Sequence, residues 1–149
     1  MSNIRQISEI LNKFNKFNVD FIILRKPVMI FKKNNDIDIL LSYKNLNTIN
    51  KIFKNTSLIS YKDNKYSNVY LYGSHSHWHF YNKKSEINFD LCFDISYRSI
   101  NEKEFVPIDD DELIKIWANK IKVNCDNFFY FQMDERSQLL HYICHSIFD

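Results

Sequence analysis

Apolar positions recur along this chain with two spacings, one typical of helices and one typical of strands. Stripes with helical spacing predict helices at 4–17, 45–53, 113–121 and 139–147. Short apolar runs predict strands at 19–24, 36–41, 58–61, 68–72, 76–81, 87–95 and 128–131. Helices and strands are intermixed along the chain, and no linker or repeat divides it. We therefore expect one α/β (α+β) domain over 1–149, with a mixed β-sheet and flanking helices.

Two aspartates, Asp36 and Asp38, stand in a strand that is otherwise apolar. Side chains alternate between the two faces of a strand, so these two carboxylates point the same way. Like charges held side by side cost free energy unless a cation joins them, and carboxylate oxygens suit a hard cation such as Mg²⁺. The alternative for an isolated D-x-D is a strand that begins with two solvated aspartates.

A third carboxylate, Asp90, stands between Phe89 and Leu91 in another apolar run. A strand that carries D-x-D and a later strand with a single acid can converge on one metal-binding face. Such a face suits the two-metal mechanism of phosphoryl or nucleotidyl transfer, and Asp90 could also accept the proton of the attacking hydroxyl. The predicted metal ligands and catalytic residues are Asp36, Asp38 and Asp90, with two Mg²⁺ ions or, in their place, Mn²⁺.

Composition removes several classes of function. The single glycine, Gly73, rules out a P-loop and a G-x-G-x-x-G fingerprint, since both need several glycines. A net charge of only +2 does not favour nucleic acid as a partner. Three cysteines, odd in number and widely spaced, predict a reduced, cytoplasmic protein. We expect no membrane partner, because no apolar run approaches the length of a membrane span.

The acidic pattern resembles the nucleotidyltransferase superfamily related to DNA polymerase β. That likeness runs from about residue 19 to the end of the chain. It implies a nucleotidyltransferase-like fold and an enzyme that moves an NMP group from an NTP to a hydroxyl of a small molecule, sugar or protein. It is closer to an uncharacterised bacterial branch often found near surface-polysaccharide genes, which implies a role in polysaccharide biosynthesis. The segments that carry it are Phe21-Ile22-Ile23-Leu24-Arg25-Lys26, Asp36-Ile37-Asp38-Ile39 and Phe89-Asp90-Leu91.

The turn at Arg25 and Lys26 departs from that superfamily, which usually has Gly-Ser or Gly-Gly there to hold the β and γ phosphates. Arg25 and Lys26 could replace the backbone amides with charge-assisted hydrogen bonds to phosphate. Their bulk could equally block the phosphate site. The domain would then bind a nucleotide, a sugar precursor or a partner protein without catalysis. The last predicted helix resembles the start of a longer helical region, so an N-terminal part of a longer protein and a naturally short form both stay open.

Three alternating histidines, His75, His77 and His79, share one face of a predicted strand. If a hairpin paired Phe80 with Ile87, His77 would lie opposite Asp90. On that register, His77 or His79 would contact the substrate or orient Asp90, and His77 is the predicted cofactor-binding residue. The alternatives are a transition-metal site of the H-x-H type in a metal-dependent hydrolase, and an exposed edge of the sheet.

Overall fold

The computed structural model describes residues 3–24, 36–54, 56, 59–61, 77–82, 87–98 and 105–148. Within them the helices are α1 (Asn3–Lys16), α2 (Leu46–Lys54), α3 (Asp110–Ala118) and α4 (Glu135–Phe148), and a short 3-10 helix (Tyr43–Asn45) precedes α2. The strands are β1 (Phe21–Ile23), β2 (Asp36–Leu41), β3 (Ile59–Tyr61), β4 (His77–Asn82), β5 (Ile87–Cys92), β6 (Ser96–Arg98), β7 (Phe105–Pro107), β8 (Ile121–Cys125) and β9 (Phe128–Gln132). The predicted strand at 68–72 lies outside the described residues.

Seven strands form one mixed sheet in the order β3-β4-β5-β2-β1-β9-β8. Strands β2 and β5 are parallel, as are β1 and β9, and the other neighbours are antiparallel. Strands β6 and β7 form a separate antiparallel pair. The predicted α+β domain with a mixed sheet and flanking helices is confirmed. The prediction missed β6, β7 and β8.

The two faces of the sheet carry different cores. On one face, α1 and α2 pack against the odd-numbered positions of β2 and β5, and Phe53 of α2 stacks on Phe80 with ring centroids 4.0 Å apart. On the other face, a second core contains Leu40 and Cys92, with Ile116 of α3 buried in it and Cys144 of α4 packed against it. Asp38 and Asp90 belong to this second face, because strand side chains alternate.

Local sequence explains where the helices begin and end. Asn18 ends α1 with φ 51°, in the left-handed region that asparagine tolerates better than most residues. The carboxylate of Asp109 caps α3 by accepting from the amide of Asp111 at 2.9 Å. The carboxylate of Asp134 does the same for α4, accepting from the amide of Arg136 at 3.0 Å. Acidic residues just before an apolar stripe predict both caps, and the structure confirms them.

In the described part of the chain, no helix combines the length and apolarity that crossing a membrane requires.

Candidate active site

The pairing of β2 with β5 brings two of the predicted acids together. Asp38 lies directly beside Asp90, and Asp36 lies beside Asn88. Because β2 and β5 are adjacent parallel strands, the side chains at paired positions project from the same face, about 4.8 Å apart at the backbone. The described carboxylates of the site are therefore those of Asp38 and Asp90. Asp36 has the right strand position, but its side chain lies outside the described atoms.

These acids stand at the border between solvent and the second core. The side chain of Asp90 is 19% exposed and Asp38 is half-buried. Cys92 follows on the same face, and burial raises the pKa of its thiol well above the ordinary value; the carboxylates of Asp90, Asp38 and Asp94 raise it further. The thiol therefore stays protonated and is a poor nucleophile. The clustered carboxylates also make this face attractive to cations.

The structure corrects the predicted register of the histidine strand. Phe80 pairs with Phe89 rather than with Ile87, so the register differs by two residues from the predicted one. His79 is therefore the histidine opposite Asp90, and His77 lies opposite Cys92. A slip of two residues keeps every side chain on its own face, so the alternation of the sequence could not distinguish the two registers.

His79 is the described histidine at the acidic pair. Its Nδ1 lies 3.8 Å from Oδ1 of Asp90, which is an ion-pair distance when the imidazole is protonated but too long for a hydrogen bond. His77 is on the same face by its strand position, and its side chain lies outside the description, as does all of His75. The interpretation that a histidine orients Asp90 thus moves from His77 to His79.

The predicted phosphate-contacting turn, Arg25 and Lys26, lies outside the described residues. The residue that precedes it, Leu24, is described. The amide of Leu24 donates to the carbonyl oxygen of Asp38 at 3.0 Å. Since β1 runs antiparallel to β2, the carboxyl end of β1 is next to the amino end of β2. The described chain therefore reaches Leu24, the residue before Arg25, directly beside the acids.

The paired acids of this face offer carboxylate oxygens. Carboxylates are the side chains that Mg²⁺ and Mn²⁺ prefer, and two of them stand at paired positions. Among the side chains that the structure describes, no group of three or more His, Cys, Asp or Glu is close enough to hold a metal ion. A third carboxylate would have to come from Asp36, whose strand position is on the same face as Asp38.

No family model matches this chain, and no curated protein matches its sequence. Two solved structures share its architecture. A candidate nucleotidyltransferase from Thermotoga maritima aligns with a TM-score of 0.58 and 12% identity, over 94% of this chain and 82% of the other. The chain has the nucleotidyltransferase fold. A lincomycin-bound lincosamide antibiotic adenylyltransferase, LnuA, aligns with a TM-score of 0.52 and 12% identity, over 91% of this chain and 83% of that one.

At 12% identity, the likeness extends to the nucleotidyltransferase fold and not to the roles of individual residues. Those roles are argued from this chain's own geometry. The fold brings Asp38 and Asp90 together from sequence positions 52 residues apart through the pairing of β2 with β5. It also places His79 at Asp90, a neighbour that the assumed hairpin register had assigned to His77.

Proposed function

We propose that this chain is a metal-dependent nucleotidyltransferase that moves an NMP group from an NTP to a hydroxyl of a small molecule. The observation that carries the proposal is the pairing of Asp38 with Asp90 on one sheet face, with Asp36 two residues before Asp38 on the same strand. The fold neighbours support nucleotidyl transfer. One of them is an antibiotic adenylyltransferase, which favours a small-molecule acceptor.

The acids fit the cations that such a reaction uses. Like charges at directly paired strand positions repel each other, and bound cations remove that cost. Asp36, Asp38 and Asp90 would hold two Mg²⁺ or Mn²⁺ ions. When bound, the ions would neutralise phosphate charge and lower the pKa of the acceptor hydroxyl.

The chain's own residues would carry the remaining steps. The acceptor oxygen forms a bond to the α-phosphorus of the NTP while the bond from that phosphorus to the bridging oxygen breaks, and pyrophosphate leaves. Asp90 accepts the proton that the hydroxyl loses. Arg25 and Lys26 would bind the β and γ phosphates and stabilise the leaving group. The hydrogen bond between Leu24 and Asp38 supports this role, since it holds the residue before Arg25 beside the acids.

A binding domain without catalysis is the second candidate. The feature that favours it is the sequence Arg25-Lys26, which stands where the superfamily that this chain resembles usually has Gly-Ser or Gly-Gly. In that case the acids would still bind a nucleotide through a cation, but the phosphates would not reach the position for transfer. Nucleotide binding without release of pyrophosphate is its signature.

Titration calorimetry with the four NTPs, with and without Mg²⁺, tests the binding half of the proposal. We expect Mg²⁺-dependent binding by the wild type and its loss in the Asp36→Asn/Asp38→Asn variant. The matched control is Asp126→Asn, which neutralises an exposed acid in the turn between β8 and β9, at the edge of the sheet away from β2. This control should bind like the wild type.

Release of pyrophosphate in the presence of hydroxyl-bearing small molecules, lincomycin among them, tests the transfer half. The wild type should turn over with a matching acceptor, and Asp38→Asn should not. Full turnover by Asp38→Asn would contradict the assignment. NTP binding with no pyrophosphate release for any acceptor would favour the binding domain.

A further inference from the structure

Three polar residues form one row across the sheet face that carries the acids. His79 of β4 pairs with Asp90 of β5, and Asp90 pairs with Asp38 of β2. Since these are directly paired positions on neighbouring strands, their side chains leave the same face about 5 Å apart. Beyond Asp38 comes Leu24, which is apolar and only 5% exposed. The imidazole of His79 therefore marks the β4 end of this row, with Asp90 between it and Asp38.

A ligand can reach the imidazole of His79. Its side chain is 24% exposed, compared with 19% for Asp90. The distance of 3.8 Å from its Nδ1 to Oδ1 of Asp90 is too long for a direct hydrogen bond, so the imidazole does not hold the carboxylate in place by that contact. What the geometry shows is an accessible hydrogen-bonding ring directly beside the proposed base.

The position beside the base assigns His79 to the acceptor. The hydroxyl that attacks must hydrogen-bond to Asp90, which takes its proton, so the acceptor molecule lies next to the imidazole. A donor on the attacking oxygen itself would draw away lone-pair density that forms the bond to phosphorus. A hydroxyl on the neighbouring carbon is the better partner. It both donates and accepts, and so matches either tautomer of the imidazole.

We propose that His79 is an acceptor-binding residue and that the acceptor carries two hydroxyls on neighbouring carbons, as a sugar does. This inference rests on the proposed function. One hydroxyl attacks the α-phosphorus and passes its proton to Asp90. The neighbouring hydroxyl keeps its proton and forms a hydrogen bond with His79. Two adjacent hydroxyls fit side-chain atoms that lie 3.8 Å apart.

Pyrophosphate release with each NTP and Mg²⁺ tests the acceptor class. The probes are methyl α-D-glucopyranoside and a matched pair, glycerol and propane-1,3-diol, which differ in the central hydroxyl. We expect release with the sugar and with glycerol. The KM for propane-1,3-diol should be about tenfold higher than that for glycerol, the loss of one hydrogen bond.

His79→Phe tests the residue, since phenylalanine keeps a flat ring, suits a strand and cannot hydrogen-bond. The KM for glycerol should rise about tenfold, while kcat and the KM for the NTP stay unchanged, because the lost contact holds the acceptor equally before and during the reaction. The KM for propane-1,3-diol should not change, because that probe lacks the partner hydroxyl. His79→Gln, which keeps a donor and an acceptor, should recover part of the affinity. The matched control is His145→Phe on α4, whose ring stacks on His141, and it should behave like the wild type.

Several outcomes would overturn the proposal while the proposed function stands. Equal KM values for glycerol and propane-1,3-diol would remove the paired hydroxyls. An unchanged acceptor KM in His79→Phe would remove the residue, and a lower kcat at unchanged KM would mean that it acts through Asp90. A raised KM for the NTP alone would place the imidazole on the nucleotide. If His79→Phe does not fold, His79→Ala replaces it with the same expectations. No pyrophosphate release by the wild type with any probe or with lincomycin removes both proposals.

Discussion

Replacing Asp38 with asparagine should make the metal-free protein more stable. It should also reduce the stabilisation that the protein gains from Mg²⁺. Asp38 and Asp90 occupy paired positions on adjacent strands, so their carboxylates repel each other when no cation lies between them. Asparagine keeps the size of the side chain and removes one of the two charges. The substitution therefore separates the effect of charge from the effect of packing.

The size of the effect follows from the pairing. With the carboxylates about 5 Å apart and an effective dielectric constant between 20 and 80, the repulsion is roughly 1–3 kcal/mol. A gain of about 1–3 kcal/mol corresponds to a rise in melting temperature of about 2–12 °C.

Thermal unfolding at pH 8, in EDTA and in MgCl₂ with matched ionic strength, measures both effects. Mg²⁺ at ten times its dissociation constant should stabilise the wild type by about 1.4 kcal/mol. Asp38→Asn should lose most of that response, so its advantage in EDTA shrinks or reverses in MgCl₂. Asp126→Asn should respond to Mg²⁺ like the wild type.

Two results would refute the reasoning. If Asp38→Asn is less stable than the wild type in EDTA, the carboxylate stabilises the fold by more than its repulsion with Asp90 destabilises it. If both proteins gain the same stability from Mg²⁺, Asp38 does not hold the cation.

Three further predictions follow from the described contacts. Phe53→Ala should lower the free energy of unfolding in urea by about 3–5 kcal/mol, since this ring is 2% exposed and stacks on Phe80; a loss below about 1 kcal/mol would contradict its place in the core. Cys92 should react with a thiol reagent only after unfolding, and stability should fall as pH rises above about 9, because the unfolded thiol ionises while the buried one keeps its proton; Cys92→Ala should weaken that alkaline loss. Asp134→Ala should cost about 1 kcal/mol at pH 7. Hydrogen bonds from Ser137 lower the pKa of Asp134, so its contribution is present above the unfolded pKa of about 3.9 and disappears as pH falls through the lower folded value; a difference between variant and wild type that persists in full at pH 2 would argue against the cap.

Most of the larger elements could be predicted because their signals are local. The stripe of α1, the aspartate caps of α3 and α4, and the apolar runs of β2 and β5 each lie within one short segment. Strand β8 was missed because Ile121 follows Trp117 by four residues, which continues the helical stripe of α3. Strands β6 and β7 have three residues each, too few to show a period.

The sequence by itself determined that Asp36 and Asp38 share a face, because the two-residue period of a strand is a local property of the backbone. Only the tertiary structure decided that Asp90 is the neighbour of Asp38, since β2 and β5 are distant in sequence and pair through the sheet. The choice of His79 over His77 depended on a hairpin register that alternation leaves open at steps of two residues. The packing of α4 also depended on the tertiary structure, since Gln138 is 6% exposed whereas Leu139 and Ile143 of the predicted apolar stripe are 61% and 47% exposed.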